Sequence, residues 1–563
     1  MFNRKYIFPL SFSILYLISC ILWGLFQYPH EDVLILYRYV DIFAHHNIIA
    51  FNPNGPPVEG ATDFLWMAIL ALFHKIGFDP FFTSQIINAI SLFFILRIIF
   101  TDIIPEQPIL IYTIIGVIFL NIGPIVASSI LGFSSLTFCF LLLAIYVFAI
   151  KTNYTYWTTL SILFCLLRPE AFIFFLPTIL IIFYKTKAND LPRFYKSFFT
   201  VVSIGIVYFI WRFWYFNEFL PTPIIVKSIG GETSITRYLA RMSEVLSSFI
   251  IAQIIVIFIY VISNLRSSMK GENKIFNLIL VTFPFILIFI FMLSTGHASQ
   301  NIFFRYFSPI YLALFIFTLM IINDLKGKKL LVYSIIFFIC LTSIDQSNLL
   351  NRTFDIENKK IANPTTKLFK YFKSEIHPIT HVGISLEKYE NDLTIMLTEA
   401  GNIPYFSRKY SIDMAGLNTS SFAKEPVNCE NFISLKPDII EIDVGPIDYF
   451  HYSEIINDKE MTSCGIVSKN EIYNDPTKIR IDKSFLIDRY TNDYFIENHK
   501  NATVAVAANN TLFCMNNNKN FNRIFFNKRS DQIYFHKSEE ISELLMTSCG
   551  LKLKGYFLDN LFN

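Results

Sequence analysis

Up to about residue 346, the chain alternates long apolar runs with short polar segments. A helix needs roughly 20 apolar residues to cross the hydrocarbon core of a bilayer. Eleven segments approach this length, at about residues 7–27, 82–100, 107–124, 134–150, 155–167, 171–184, 197–216, 243–264, 275–294, 306–323 and 330–346. The pattern predicts a polytopic α-helical membrane protein with about eleven transmembrane helices.

Two apolar regions call for separate interpretation. Segments 155–167 and 171–184 are short, and the tripeptide Arg168-Pro169-Glu170 that separates them is predicted to lie at a membrane surface. Segment 64–77 is apolar but only about 14 residues long, which suits a helix lying in the interface better than one crossing the bilayer.

The pattern changes after residue 346, where apolar runs become short and alternate with polar stretches. Such alternation predicts a soluble α/β or α+β domain over residues 347–563, behind a transmembrane domain over residues 1–346. The composition agrees, because only 16% of residues are charged and the mean hydropathy is +0.46. An ordinary soluble protein has about 25% charged residues, which excludes a soluble cytosolic enzyme.

The distribution of Lys and Arg predicts the orientation, since cytoplasmic loops carry an excess of both. With a cytoplasmic N-terminus, eleven spans place most loop cations inside: Lys151, Lys185, Lys187, Arg193, Lys196, Arg266, Lys270, Lys274, Lys326, Lys328 and Lys329. The soluble domain then lies on the periplasmic or extracellular side. We expect an integral protein of the bacterial inner membrane.

The cysteines fit this topology. Four fall in predicted spans and read as inert core thiols: Cys20, Cys139, Cys165 and Cys340. Four fall in the outer domain, where disulfides can form, and their pairing stays open: Cys429, Cys464, Cys514 and Cys549. Cys20 also ends a lipoprotein-like sequence, but the apolar run continues past it, which favours an uncleaved signal-anchor helix.

The first outer loop, within residues 28–63, is the most polar one and begins with the adjacent acids Glu31 and Asp32. Two carboxylates at a membrane surface repel each other, which favours proton uptake by one of them and suits a general base. The alternative is a solvated cap on the helix that follows.

Several motifs resemble one enzyme family when taken in order. The first loop reads Glu31-Asp32-x-x-Ile35-x-Tyr37-Arg38-Tyr39, then Phe51-Asn52-Pro53, then Val58-Glu59-Gly60-x-Thr62-x-Phe64-Leu65-Trp66. Later matches are Leu167-Arg168-Pro169-Glu170, Leu220-Pro221-Thr222-Pro223 with Lys227, Arg305-Tyr306-Phe307-x-Pro309, Glu399-Ala400-Gly401 and Ile412-Asp413-x-x-Gly416-Leu417-Asn418. Over residues 30–420 the chain resembles the GT-C fold glycosyltransferases that use polyprenyl-phosphate sugars, including the mycobacterial terminal arabinofuranosyltransferases and the lipid-dependent mannosyltransferases.

The chain departs from the family pattern at several positions. Glu31 replaces the first Asp, Asp63 replaces an Asn, and Gly132-Phe133-Ser134-Ser135-Leu136 lacks the family's acid. A Gly-His-Ala sequence at 296–298 replaces Gly-Gly-Asp-Trp. These changes leave the donor sugar, the acceptor and the choice between Glu31 and Asp32 as base open.

The resemblance implies roles for individual residues. Glu31 or Asp32 would accept the proton of the acceptor hydroxyl, and three outer cations would bind the donor phosphate: Arg305, Lys227 and Arg168. Six further residues would contact sugar or acceptor: Arg38, Glu59, Asp63, Trp66, Glu170 and His297. The alternatives are cations that reach lipid headgroups, an Arg168–Glu170 pair that shapes a turn, and a Trp66 that belongs to an interfacial belt.

The implied partners are a polyprenyl-phosphate sugar donor, a glycan, glycolipid or protein acceptor, and the bilayer; no nucleic acid is expected. We expect no cofactor and no metal site, with a divalent cation as an open alternative, since His45, His46 and His297 lack evident partner ligands in the sequence. Two other functions compete: a non-catalytic lipid or polysaccharide transporter, and an O-antigen-type ligase. A transporter would hold ionisable residues deep in its spans, and a ligase would carry its main outer loop between late spans.

Overall fold

A computed structural model gives the fold of most of the chain. It describes residues 4–105, 107–229, 251–258, 302–325, 331–337, 339, 378–424, 434–443, 464–468, 523–527, 532–551, 553 and 556. The predicted span 275–294 lies outside these residues, and the spans 243–264 and 330–346 lie largely outside them. The described parts of the latter two, 251–258 and 331–337, are helical.

Helices dominate the described part of the chain. The first eleven are α1 Arg4–Phe26, α2 Glu31–His46, α3 Phe64–Lys75, α4 Pro80–Ile98, α5 Ile109–Leu120, α6 Gly123–Ile130, α7 Ser135–Ile150, α8 Tyr154–Leu167, α9 Ala171–Lys185, α10 Leu191–Phe216 and α11 Thr222–Ile229. Later ones are α12 Ser308–Asp324, α13 Pro378–Glu387, α14 Asn402–Ser407, α15 Ser420–Lys424 and α16 Glu539–Gly550. A π-helical turn, Ile99–Ile103, extends α4, and a 3-10 helix, Ile302–Phe307, precedes α12.

Four helical stretches of the described chain are long and apolar enough to cross a membrane: Lys5–Phe26, Pro80–Ile103, Ala188–Phe216 and Arg305–Asp324. Helices α5 and α6 would add a fifth span if they count as one, although they are bent by 64°. Shorter apolar helices are α3, α7, α8 and α9. The prediction of a mostly helical chain with several apolar, membrane-compatible helices is confirmed; the number eleven stays a prediction.

The bend between α5 and α6 differs from the single segment 107–124 that the apolar run predicts. Pro124 stands in the first turn of α6, where its missing N–H leaves no helical hydrogen bond unmade. In the interior of a continuous helix the same proline would break the hydrogen-bond ladder. The chain therefore ends one helix at Leu120 and begins another at Gly123.

The polar first loop contains a helix that positions the acidic pair. Helix α2 begins at Glu31, and the Nδ1 atom of His30 accepts a hydrogen bond from the backbone N–H of Asp32 (3.2 Å). Glu31 and Asp32 occupy the first turn, where the helix dipole favours negative charge. Asn47 ends the helix in the left-handed region with φ 54°.

Buried polar groups join the helices beneath α2. The amide of Gln85 on α4 accepts hydrogen bonds from the Tyr16 hydroxyl (2.8 Å) and the Cys20 thiol (3.0 Å) of α1, and donates to the carbonyl of Ile130 (3.0 Å). Satisfied polar contacts of this kind hold apolar helices together where water is absent. Helix α1 runs without interruption past Cys20.

The C-terminal part of the described chain forms a six-stranded mixed sheet. Its strands are β1 Thr394–Leu397, β2 Tyr410–Asp413, β3 Ile439–Asp443, β4 Cys464–Ser468, β5 Arg523–Asn527 and β6 Gln532–His536, in the order β2-β1-β3-β6-β5-β4. Strand β1 pairs in parallel with β2 and β3, and the other pairs are antiparallel. Helix α14 and the turn at residues 413–418 follow the parallel strands β1 and β2, and both contact the first loop.

Tyr556 connects the C-terminal part of the described chain to the N-terminal helices. Its backbone N–H donates to the carbonyl of Gln27 (3.2 Å), and its hydroxyl donates to Oδ2 of Asp79 (2.7 Å). Its ring packs edge-on against Tyr28 and Phe81. A residue near the end of the chain thus contacts the end of α1 and the start of α4.

The structure places only some of the cysteines. Cys20, Cys139 and Cys165 are free thiols in helices, and the first two are buried, as the sequence predicts. Cys340, Cys429 and Cys514 lie outside the described residues, while Cys464 and Cys549 are placed only by their backbone in β4 and α16. The disulfide candidates stay a prediction.

Candidate functional site

An ion pair between Asp32 and Arg305 joins two distant motifs. The Nη2 atom of Arg305 donates to Oδ2 of Asp32 at 2.9 Å, although the two residues are 273 positions apart. Asp32 stands in the first turn of α2, and Arg305 stands in the 3-10 helix before α12. The fold therefore brings the acidic pair and the late arginine to one place.

Arg305 is held between aromatic rings and is 8% exposed. Its guanidinium carbon lies 4.0 Å from the ring centroid of Phe133 and 5.0 Å from that of Tyr306, whose hydroxyl accepts a hydrogen bond from Nη2 (3.2 Å). The Nη1 atom is also buried, and no group of the described residues accepts a hydrogen bond from it. A buried donor of this kind calls for an acceptor from elsewhere.

Arg168 is a second buried cation beside Arg305. Its Nη2 atom lies 2.6 Å from a carboxylate oxygen of Glu170, and its Nε atom lies 3.7 Å from Asp63. Burial alone would lower the pKa of Arg168, but the carboxylates of Glu170 and Asp63 outweigh it and raise that pKa above the usual range. The Tyr306 ring contacts both guanidiniums, at 5.2 Å from Arg168. The Arg168–Glu170 pair, expected as one alternative, is present.

Asp63 connects this cation to α7. Its Oδ2 atom accepts a hydrogen bond from the Ser134 hydroxyl (2.9 Å), and Ser134 directly precedes α7. The Gly132–Leu136 segment, in which the family pattern would place an acid, therefore supplies a hydroxyl to Asp63 and the Phe133 ring to Arg305.

Glu31 faces the sheet region. Its Oε1 atom accepts a hydrogen bond from the backbone N–H of Gly401 (3.2 Å), at the turn between β1 and α14. An added Cβ at Gly401 would lie 2.3 Å from Cγ and 2.4 Å from the backbone oxygen of Glu31. Only glycine permits this approach, which explains the glycine of the Glu-Ala-Gly motif in physical terms.

Gly401→Ala is expected to lower the stability of the protein by about 1–3 kcal/mol, the usual range for overpacking a close contact. The measurement is the thermal unfolding midpoint in detergent. Gly205→Ala is the matched control, because no atom of the described residues lies within 4 Å of its added Cβ. Alanine within α10 should be neutral or stabilising. Equal midpoints for both variants would contradict the close contact at Gly401.

Glu59 pairs with a cation that the sequence motifs did not name. Its carboxylate forms an ion pair with Nη2 of Arg212 on α10, and both side chains are at least 92% buried. The Nη1 atom of Arg212 also donates to the carbonyls of Glu218 (3.2 Å) and Phe219 (2.9 Å). Glu59 thus fixes the first loop to the end of α10. The sequence did contain a signal for this pair, because an arginine within an apolar helix requires a carboxylate partner.

Arg212→Met is expected to destabilise the protein by about 3–5 kcal/mol, because it leaves the Glu59 carboxylate buried without its counter-charge. The double variant Glu59→Leu/Arg212→Met should recover part of the loss, since neither charge is then buried. The readout is the unfolding midpoint. Arg193→Met is a matched control on α10: Arg193 is 76% exposed and its pair with Asp190 should contribute less than about 1 kcal/mol. A double variant as unstable as Arg212→Met would contradict the pairing argument.

Arg38 and Tyr39 tie α2 to the sheet region. The Arg38 guanidinium donates to the carbonyls of Phe51 (3.1 Å) and Lys409 (3.0 Å), and burial lowers its pKa to about 10. The Tyr39 hydroxyl donates to Asn418 Oδ1 (3.0 Å) and accepts from the N–H of Gly60 (3.1 Å). Arg38 therefore contacts backbone oxygens here, whereas the resemblance implied a contact with sugar or acceptor.

The 413–418 turn is held by a buried carboxylate. Asp413 accepts hydrogen bonds from the backbone N–H groups of Ala415 (2.8 Å) and Asn418 (2.9 Å) and from the Asn418 amide (2.9 Å). Gly416 adopts φ 81°, the left-handed region that glycine enters freely. The Ile-Asp-x-x-Gly-Leu-Asn motif thus orients Asn418 toward Tyr39.

Of three other predicted site residues, the structure places the side chain of one only, Trp66. Trp66, on α3, is fully buried in the protein core. It has no exposed face for stacking on a sugar or for contact with lipid headgroups. Lys227 lies within α11, and its side chain is not among those described. His297 lies outside the described residues.

The comparisons with known proteins address the C-terminal part only. A family model described as "Domain of unknown function (DUF8728)" matches residues 374–508, which include β1 to β4. It covers less than half of the chain and does not include the first loop or Arg305. No curated protein matches the chain.

Proposed function

We propose that this protein is an integral-membrane glycosyltransferase of the GT-C type. It would move a sugar from a polyprenyl-phosphate donor to a cell-envelope glycan, glycolipid or protein acceptor at the outer membrane surface. The observation that carries the proposal is the Asp32–Arg305 ion pair, at which the acidic first loop meets a buried cation. One donor atom of this cation has no hydrogen-bond acceptor among the described residues.

Arg305 is the proposed ligand of the donor phosphate. Asp32 holds its Nη2 atom, while the buried Nη1 atom is the donor that lacks a partner among the described residues. A phosphate oxygen would accept the hydrogen bond that Nη1 can donate. The forked geometry of a guanidinium lets it donate to two acceptors at once. Arg168 contacts the same Tyr306 ring and adds positive charge. The cation–π contacts fix both guanidiniums before the donor binds.

Glu31 is the proposed general base. Asp32 accepts a charged hydrogen bond from Arg305, which makes it a poorer proton acceptor. Glu31, the first acid of the pair, accepts a hydrogen bond from the backbone N–H of Gly401. Successive side chains on a helix point about 100° apart, so the two acids serve different neighbours. Asp32 would then orient Arg305, and Glu31 would face the acceptor.

In the proposed transfer, Glu31 and Arg305 act on the two reacting oxygens. The acceptor oxygen forms a bond to the anomeric carbon while the bond from that carbon to the phosphate oxygen breaks. Glu31 takes the hydroxyl proton, and polyprenyl phosphate leaves with the electron pair, stabilised by Arg305. In this proposal the eleven spans place residues 347–563 on the outer side, where the sheet region covers the site through Gly401 and Asn418.

The test is a donor assay with the purified full-length protein in lipid nanodiscs. Synthetic polyprenyl phosphates that carry labelled pentoses or hexoses are incubated with a membrane extract of acceptors, and release of polyprenyl phosphate and of labelled product is measured. Consumption of at least one donor with stoichiometric release of polyprenyl phosphate supports the proposal.

The competing transporter would give a different result in the same preparation. In sealed vesicles it would move the labelled lipid across the bilayer with the sugar–phosphate bond intact. An O-antigen-type ligase would consume a diphosphate-linked glycan and no monophosphate sugar. Either result, with no monophosphate donor consumed, would contradict the proposed function.

A further inference from the structure

A second group of ligating side chains lies about 15 Å along α2 from Glu31, given a rise of 1.5 Å per residue. Asp41 and His45 stand four residues apart on one face of α2, and His74 comes from the last turn of α3. The Oδ1 atom of Asp41 lies 3.2 Å from Nδ1 of His45 and 3.1 Å from Nε2 of His74. One ligand atom of each residue lies within 4.8 Å of the other two.

The hydrogen bonds of His74 call for a positive charge between it and Asp41. Its Nδ1 atom lies 3.1 Å from the carbonyl of Phe78, and its Nε2 atom lies 3.1 Å from the Asp41 carboxylate. Both neighbours are acceptors, but a neutral imidazole has only one N–H. If Nδ1–H serves the carbonyl, the lone pair of Nε2 points at a carboxylate unless a proton or a metal ion stands between them.

The same arrangement is typical of metal-binding histidines. Such a histidine donates its other ring N–H to a carbonyl or carboxylate, which fixes the tautomer and directs the free nitrogen at the metal. The Phe78 carbonyl does this for His74. His45 offers Nδ1, which also lies 2.9 Å from the Asp41 carbonyl, so metal binding there would displace a proton.

Two of the three separations between donor atoms match a single ion, and the third is within 4.8 Å. With zinc bonds of about 2.0–2.1 Å at tetrahedral angles, two donor atoms lie about 3.4 Å apart. The observed 3.1 and 3.2 Å are close to this value. The imidazole planes of His45 and His74 stand at 89° with centroids 5.0 Å apart, so their nitrogens can converge without stacking of the rings.

The surroundings leave room for a fourth ligand. The side chain of His45 is 55% exposed and that of Asp41 is 31% exposed, so water reaches the cluster. Three cations lie near it, and the first is Arg38, which interacts electrostatically with Asp41. Lys75 donates a hydrogen bond to Oδ1 of Asn47 (3.0 Å). Arg408 attracts the Asp41 carboxylate electrostatically and also forms an ion pair with Glu387 (3.6 Å).

We propose that Asp41, His45 and His74 bind one divalent metal ion of the zinc type and thereby cross-link α2 to α3. Two imidazoles and one carboxylate suit zinc and the neighbouring transition metals better than calcium or magnesium. The site leaves an open coordination position toward solvent. It is independent of the proposed glycosyltransferase activity, and its test does not require that activity.

The experiment uses full-length protein without a polyhistidine tag, stripped with chelator and titrated with Zn²⁺. Bound zinc is measured by elemental analysis after gel filtration, affinity by calorimetry, and stabilisation by the shift of the unfolding midpoint. We expect about one equivalent of zinc and a higher midpoint. His45→Ala, His74→Ala and Asp41→Asn should each weaken binding by at least about tenfold.

His46→Ala is the matched control, since His46 is the exposed neighbour of His45 and lies outside the cluster. His45→Ala is the decisive variant, because its exposed side chain can be removed without disturbing the core. Absence of saturable zinc binding, or equal binding by the His45→Ala and His46→Ala variants, would overturn the proposal and leave an Asp–His ion pair only. A Ca²⁺ titration run in parallel should give no comparable shift; a larger shift with Ca²⁺ would overturn the assignment to zinc.

Discussion

Glu31→Gln is expected to lower the turnover of sugar transfer by about 100- to 10,000-fold, the usual contribution of a general base. Glutamine keeps the size of the side chain and an acceptor oxygen for the N–H of Gly401, but it cannot take the acceptor proton. Donor binding should be nearly unchanged, because Asp32 is the residue proposed to orient Arg305. The measurements are steady-state turnover and equilibrium binding of a labelled donor.

Asp32→Asn separates the two acids. Loss of the charge that orients Arg305 should weaken donor binding, so the effect falls mainly on KM. Asp102→Asn is the control, since Asp102 pairs with Lys151 and lies outside the site. If Asp32→Asn abolishes turnover with intact binding while Glu31→Gln stays active, the roles of the two acids are reversed. Full activity of both variants would end the base proposal.

Arg305→Ala is expected to reduce kcat/KM by about 100- to 1000-fold, as for other groups that stabilise developing negative charge. The loss removes the buried donor proposed to meet the phosphate and also leaves Asp32 without its cation. Donor affinity and kcat/KM are the two measurements. Arg193→Ala, which removes an exposed arginine of α10, should change neither.

Arg305→Lys distinguishes charge from geometry. An ammonium is a single point charge that cannot bridge Asp32 and a phosphate as a planar fork does. We expect an intermediate loss, with binding less affected than in Arg305→Ala. Unchanged donor affinity in both variants would remove Arg305 from the phosphate role and leave it as a structural partner of Asp32.

The sequence predicted the helices better than their contacts. The tripeptide Arg168-Pro169-Glu170 marked the break between two short helices, and the structure ends α8 at Leu167 and begins α9 at Ala171. Local composition and a proline suffice for such a boundary. The bend after Leu120 was missed because the apolar run continues through it.

The members of the candidate site were partly evident, but their arrangement was not. Resemblance named Asp32 and Arg305, yet no local pattern indicates that residues 273 positions apart form an ion pair. Arg212 and Glu59 illustrate the same limit, because their pairing depends on how α10 packs against the first loop. His45 lacked evident partner ligands in the sequence, since His74 meets Asp41 only through the contact of α2 with α3.

The position of Tyr556 has a consequence for biogenesis. Its hydroxyl bonds Asp79 across 477 residues of sequence. During synthesis, the contact at the end of α1 and the start of α4 can form only after Tyr556 has been added. Contacts of such long sequence separation form late because the loop between them must close first. Ribosome-bound intermediates should therefore expose Tyr28, Asp79 and Phe81 to chaperones and proteases that the finished protein no longer meets.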